Sequence, residues 1–298
     1  MWFLVSAIIF GSLFSIVFKV CQSLRIDTDQ VIHFNYLTAF IIAVLSALLQ
    51  SGGPDSVLQG FSPHWSNTIP ALVEGVLFVL SFVVMDHSVW RSGVALTTVA
   101  ARASLILPVI FSWIFLAQPA PAWLPVGIVL ISLTLIILPA ESQKHDPSLL
   151  TNKTDAQRRR RTLLMLVSVF ACYGCSDFGL KIVQQTDPHT DVMMGMIFIS
   201  ATLFSLLICF VKGSFRKHPL GIKSILGGFI LGLVNTLCTA SLLRALGAMS
   251  TGLFYPLYNI GTVLVATLTG IIFFKERLKP VQFAGIALSI IAIVLFFR

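Results

Sequence analysis

The sequence predicts an all-α membrane protein in which ten transmembrane helices form a 5+5 inverted-topology repeat. Three observations lead there: apolar runs of spanning length, a one-sided distribution of basic residues between them, and self-similarity at a half-chain shift.

The apolar runs come first. Of 298 residues, 56% are hydrophobic and only 11% charged, with a mean hydropathy of +0.92, a composition outside the range of soluble globular chains. About 20 apolar residues suffice to cross a hydrocarbon core as a helix. Ten such runs occur, at 1–21, 31–50, 68–86, 94–117, 121–139, 162–183, 190–211, 221–244, 250–274 and 280–297. Helices are required because backbone groups in lipid must be satisfied within the segment, and the alternation of a membrane barrel is absent. The first run reads as a span rather than a cleavable signal, since no positive region precedes it and it outlasts an h-region. The five cysteines, an odd number in or beside spans, do not suggest a disulfide framework. Cys172 and Cys175 have redox spacing but sit in an apolar helix, and are read as packing.

The net charge of +8 lies mostly in short loops, so it reports topology rather than nucleic-acid binding. Loops after spans 1, 3, 5, 7 and 9 hold Arg25, Arg91, Lys144, Lys153, Arg158 to Arg161, Lys212, Arg216, Lys217, Lys223, Lys275, Arg277 and Lys279. Loops after spans 2, 4 and 6 hold none, and the loop after span 8 has only Arg244 at a helix end. The odd loops are therefore expected in the cytoplasm, with both termini outside a bacterial inner membrane. The basic stretch 140–161 becomes a cytoplasmic linker whose four arginines anchor topology, and it separates a first repeat, 1–139, from a second, 162–298.

The halves resemble each other. A shift of 158 places Ile114 and Phe115 on Ile272 and Phe273, Gln118 on Glu276 and Gly127 on Gly285; a shift of 162 places Leu4 to Ser6 on Leu166 to Ser168, Lys19 on Lys181 and Gln22 on Gln184. Five spans per copy is an odd number, so the second copy enters from the opposite face, as in many secondary transporters.

These residues also carry a family resemblance. "FGSLFSIVFK" at 10–19 and "YGCSDFGLK" at 173–181 resemble the aromatic-Gly-Ser signature, closed by Lys, of first spans in the drug/metabolite transporter superfamily, EamA type. "FFKERLKPVQFAGIALSIIAIVL" at 273–295 resembles that family's end-of-repeat pattern; the first copy has Gln118-Pro119 where the second has Glu276-Arg277. The resemblance covers nearly the whole chain as two five-helix copies. It implies a carrier with a central cavity between the copies, moving a small organic solute. Members export amino acids and related metabolites, or carry sugars, nucleotide sugars and phosphorylated compounds, and fold alone does not choose.

Polar residues inside spans mark the candidate site, because a charge near the membrane centre costs roughly 2.5–3.5 kcal/mol on insertion scales. Glu74 and Arg102 are the deepest, separated by roughly 9 Å in depth at about 1.5 Å per helical residue. They read either as a buried ion pair or as handlers of substrate or protons. Asp177 shares a face of span 6 with Lys181. Lys181 and Lys19, at opposite ends of their spans, read as snorkelling residues, with a gate or repeat signature as the other reading. Tyr255, Tyr258 and Asn259 lie in a span interrupted by Pro256, as cavity lining or as aromatic packing, and Asn235 in span 8 is a further candidate. The expected solute is zwitterionic, an amino acid or close relative leaving the cell or exchanging, with Arg102 near its carboxylate and Glu74 near its ammonium.

An enzyme is the alternative from another class. No phosphate-binding loop motif occurs, and no pair of the six histidines falls at i, i+4, so neither nucleotide, cofactor nor metal is expected. A membrane enzyme acting on a lipid-linked substrate would have to use Asp86, His87 and Arg91 at the inner end of span 3, residues that read better as interfacial. The partners expected are the bilayer and a small-molecule substrate, with monomer and homodimer both open.

Overall fold

The computed structural model describes residues 1–24, 26–50, 65–92, 94–118, 153–186, 190–217 and 219–274. The expected spans at 121–139 and 280–297, linker residues 140–152 and the charged group at 275–279 lie outside the described residues.

Helices follow the apolar runs. In chain order they are α1 (Trp2–Ser23), α2 (Thr28–Gln50), α3 (Trp65–Ser92), α4 (Val94–Ala103), α5 (Ile106–Phe115), α6 (Lys153–Thr186), α7 (Thr190–Lys212), α8 (Ser214–Lys217), α9 (Ile222–Ala248) and α10 (Thr251–Phe274). Among the described residues five helices are long and apolar enough to cross a bilayer, over Thr28–Leu49, Thr68–Val89, Arg160–Thr186, Asp191–Lys212 and Ile222–Ala248; Trp2–Phe18 and Ala100–Phe115 are shorter apolar helical stretches.

Two departures from the sequence reading have local causes. The run read as span 4 is broken at Ser104–Leu105. Pro108 has no N–H, and its ring crowds the carbonyl four residues back, that of Ser104. That carbonyl instead accepts from Leu107 N at 2.9 Å, while Ser104 Oγ donates to Ala101 O at 2.6 Å. Helix α6 begins at Lys153, inside the stretch read as linker, because Ala, Gln and Arg are strong helix formers. At the end of α7, Gly213 takes φ +66, the left-handed turn that lets α8 follow at once.

The chain divides into two compact units, Met1–Val76 with Leu180–Arg298, and Leu77–Gly179. In the first, α2 packs along α7 and α9, and α1 packs on α9 and α10. Cys21, Val31 and Leu231 form a core with Phe14, Val17, Phe18 and Ile26 around it. Glycines allow the closest crossings: a methyl at Gly232 would meet the Asn35 carbonyl oxygen at 2.6 Å, and one at Gly75 would meet Ser200 Cβ at 2.8 Å. Small residues at such crossings let helices approach where lipid gives no hydrophobic drive. In the second unit, Ala100, Leu166 and Val169 pack with Val84, Ala101 and Tyr173, and Ile106 and Val109 pack with Ile110 and Phe170.

Candidate functional site

Each unit gathers part of the polar set. In the second, Arg102 ends α4 next to the break, and Asp177 is half-buried on α6. The Arg102 guanidinium acts electrostatically on both Asp177 and Tyr173. The Tyr173 hydroxyl donates to Met85 Sδ at 2.8 Å, which ties α6 to α3. Phe178 stacks edge-on to Phe111 at 5.3 Å. A cation, a carboxylate and a phenol thus share one apolar surround. Tyr173 was read from the sequence only as part of a motif; its role as neighbour of the cation follows from helix rotation.

In the first unit Glu74 is fully buried on α3, one residue before the tight crossing of Gly75 on α7. Lys181, 4% exposed, donates to Gln184 Oε1 and to the Leu246 carbonyl, both at 2.8 Å. Its ammonium thereby satisfies a carbonyl in the last turn of α9, where helix polarity favours a cation. Lys19 lies in α1 with its side chain outside the described residues.

Asn235 Nδ2 donates to Asn35 Oδ1 at 3.3 Å, and the wholly buried Asn35 has no hydrogen-bond partner for its own Nδ2 among the described residues. On α10, Tyr255 is fully buried edge-on to Phe254 at 5.1 Å, and Tyr258 stacks on that ring at 5.7 Å. The Tyr258 hydroxyl lies 3.8 Å from Cys238 Sγ and against Gly11 of α1. Asn259 Nδ2 bonds back to the Tyr255 carbonyl at 3.0 Å.

Two features at the ends of the α2–α7 seam escaped the sequence reading. At one end Lys212 Nζ sits 2.7 Å from Asp29 Oδ1, and Ser214 donates to Asp27 Oδ1 at 2.7 Å. At the other, Ser46 Oγ donates to Asp191 Oδ1 at 3.1 Å, with Arg244 Nη2 4.0 Å from Asp191 Oδ2. Between them His33 Nδ1 lies 3.2 Å from Ser205 Oγ. The signal was present: Asp191 follows Asp29 by 162 positions, the shift already found in the first spans. In the alternative enzyme cluster, exposed His87 Nδ1 lies 2.9 Å from the Val83 carbonyl oxygen. Among the described residues no group of three or more His, Cys, Asp or Glu is placed to hold a metal ion.

Apolar helices of spanning length, with buried amides, acids and cations between them, define an integral multi-pass membrane protein. Over residues 160–298 the chain matches the EamA-like transporter family. It is also 26% identical over 296 residues, 97% of this chain and 95% of the relative, to a protein of Haemophilus influenzae described as uncharacterized.

Proposed function

We propose that the protein is a secondary carrier that exports or exchanges amino acids or close relatives across the bacterial inner membrane by alternating access. The observation that carries this reading is a pattern of helix contacts that maps onto itself when the two halves are exchanged. The first span meets the ninth where Tyr258 rests on Gly11, and the sixth meets the fourth where Leu107 rests on Gly174. The second meets the eighth at Asn35–Asn235, and the seventh meets the third where Ser200 Oγ donates to the Leu72 carbonyl at 2.6 Å. The first meets the eighth at Ser6–Ser241, and the sixth meets the third at Tyr173–Met85. On the seam of the second and seventh spans, Tyr36 faces Phe198, 162 positions later, at 6.4 Å. These correspondences support an inverted 5+5 repeat of ten spans, the architecture that alternates access by exchanging the conformations of its halves.

The substrate reading rests on chemistry. In the second unit Arg102 offers a fork for a carboxylate and Asp177 a charge for an ammonium; in the first, taken by itself, Glu74 offers a charge and Tyr255, Tyr258, Asn235 and Asn259 offer aromatic faces and amides. A sugar phosphate would call for more buried cations. The basic odd loops support an orientation with both termini outside.

Counterflow in liposomes tests the reading, with radiolabelled amino acids in one set and nucleotide sugars and sugar phosphates in the other. Exchange of the amino acids is the expected result. Exchange confined to the phosphorylated set overturns the substrate class, and product formation from a lipid-linked substrate without exchange overturns the carrier.

A further inference from the structure

Among the loops that follow the even spans, Arg244 is the single Lys or Arg, kept against the bias that strips that side of cations. Nothing in the transport reading above uses it. It sits near the end of α9, with its side chain 38% exposed. Its guanidinium lies over the Phe3 ring at 5.9 Å, and its Nη2 is 4.0 Å from Asp191 Oδ2. That separation is beyond hydrogen-bond range, and the other Asp191 oxygen already accepts from Ser46. Among the described residues the guanidinium makes no hydrogen bond. With the ring 5.9 Å away and Asp191 4.0 Å away, the N–H groups keep the capacity to grip a carboxylate through two parallel bonds. The turn that bears it is held firmly: Lys181 binds the Leu246 carbonyl, and a methyl at Gly247 would stand 3.1 Å from Gln184 Nε2.

We infer that Arg244 is a docking residue for the carboxylate of a small solute, at the end of the first unit where α7 begins and α9 ends. Asp191, whose Oδ2 lies 4.0 Å from the guanidinium, is the internal carboxylate with which the solute competes. A cation that only balanced the α9 carbonyls would duplicate what Lys181 already does. The inference deepens the carrier reading by naming the solute group engaged at that mouth, and rests on that reading only for what happens to the solute next.

The test is thermal unfolding of the full chain in detergent, titrated with leucine, phenylalanine, threonine and lysine and, separately, with the amide of each. Acid and amide share the ammonium and side chain, so their difference reports the carboxylate. Acids are expected to stabilise the wild type more than their amides do. Arg244→Gln should weaken acid binding about tenfold, a loss in keeping with one charge-assisted bidentate contact. Arg244→Lys should fall between, because it keeps the charge and loses the fork. Asp191→Asn should bind acids as tightly as the wild type or more so, since Ser46 keeps an acceptor and the internal competitor is gone. Three results overturn the inference: no preference for acids in the wild type, an unchanged preference in Arg244→Gln, or a parallel loss in Asp191→Asn that marks a structural pair. Stabilisation by phosphatidylglycerol alone, dependent on Arg244, also overturns it by assigning the fork to a lipid phosphate. Should Arg244→Gln fail to fold, Arg244→Lys and Asp191→Asn still decide. Counterflow is read apart: an Arg244-dependent acid preference without any amino-acid exchange removes the carrier reading and leaves the docking residue, whereas exchange with an unchanged Arg244→Gln does the reverse.

Discussion

Three glycine-to-alanine changes measure how closely the helices of the first unit approach. At Gly232 the added methyl stands 2.6 Å from the Asn35 carbonyl oxygen and 2.7 Å from Thr38 Cβ; at Gly75 it stands 2.9 Å from Ala201 N and overlaps the Ile197 carbonyl. These obstacles are backbone or Cβ atoms, so the helices themselves must part. At Gly227 the nearest atom is Cys21 Sγ at 3.0 Å, with nothing else inside 3.8 Å, and a thiol can swing aside. Overpacking a tight contact costs about 1–3 kcal/mol, and an immovable obstacle sets the cost in the upper part of that range. Alanine in place of glycine inside a helix returns about 1 kcal/mol. The net expectation is a loss of about 1–2 kcal/mol for Gly232→Ala and for Gly75→Ala, and roughly no change for Gly227→Ala. At roughly 2–4 °C per kcal/mol, the first two should lower the midpoint of thermal unfolding by several degrees, read as the folded fraction surviving on size-exclusion chromatography after heating. The reasoning fails if Gly232→Ala unfolds at or above the wild-type temperature while Gly227→Ala falls.

Glu74→Gln and Arg102→Met are each expected to cut counterflow at least tenfold with protein still in the membrane. Full transport by a stable double variant would recast both as structural. For topology, a C-terminal green fluorescent protein fusion should be dark and an alkaline phosphatase fusion active; the reverse pair of results turns the protein over in the membrane and leaves the repeat untouched.

Helix identity was legible because spanning length and hydropathy are properties of a local window; the runs that became α2, α3, α6, α7 and α9 show it. The break at Ser104–Leu105 was legible in principle, since Pro108 marks it, yet an apolar run reads straight through a proline. The seam residues were half legible: the 162-position shift relates Asp29 to Asp191 and Tyr36 to Phe198, but which neighbours face them depends on helix rotation. Lys181 shows the limit. Spacing on α6 suggested Asp177 as its companion, and its ammonium binds Gln184 and a main-chain carbonyl 65 residues away, an acceptor that every residue possesses and no motif can flag. The Arg102 neighbourhood was hidden for the same reason, because Tyr173 and Asp177 reach it only through the angle at which α6 faces α4.

The seam between α2 and α7 is fastened near both ends, by Lys212 on Asp29 and by Ser46 on Asp191. Asp29 and Ser46 are about 26 Å apart along the axis at about 1.5 Å per residue. Two rungs at that spacing turn a pair of rods into a spar. Prising the rods apart at either tip must first break a rung, at about 1 kcal/mol for a partly exposed ion pair or a side-chain hydrogen bond, whereas tilting the whole spar breaks neither. Load applied at one tip therefore arrives at the other as rotation, with the sign of the displacement reversed about the middle, where Tyr36 meets Phe198.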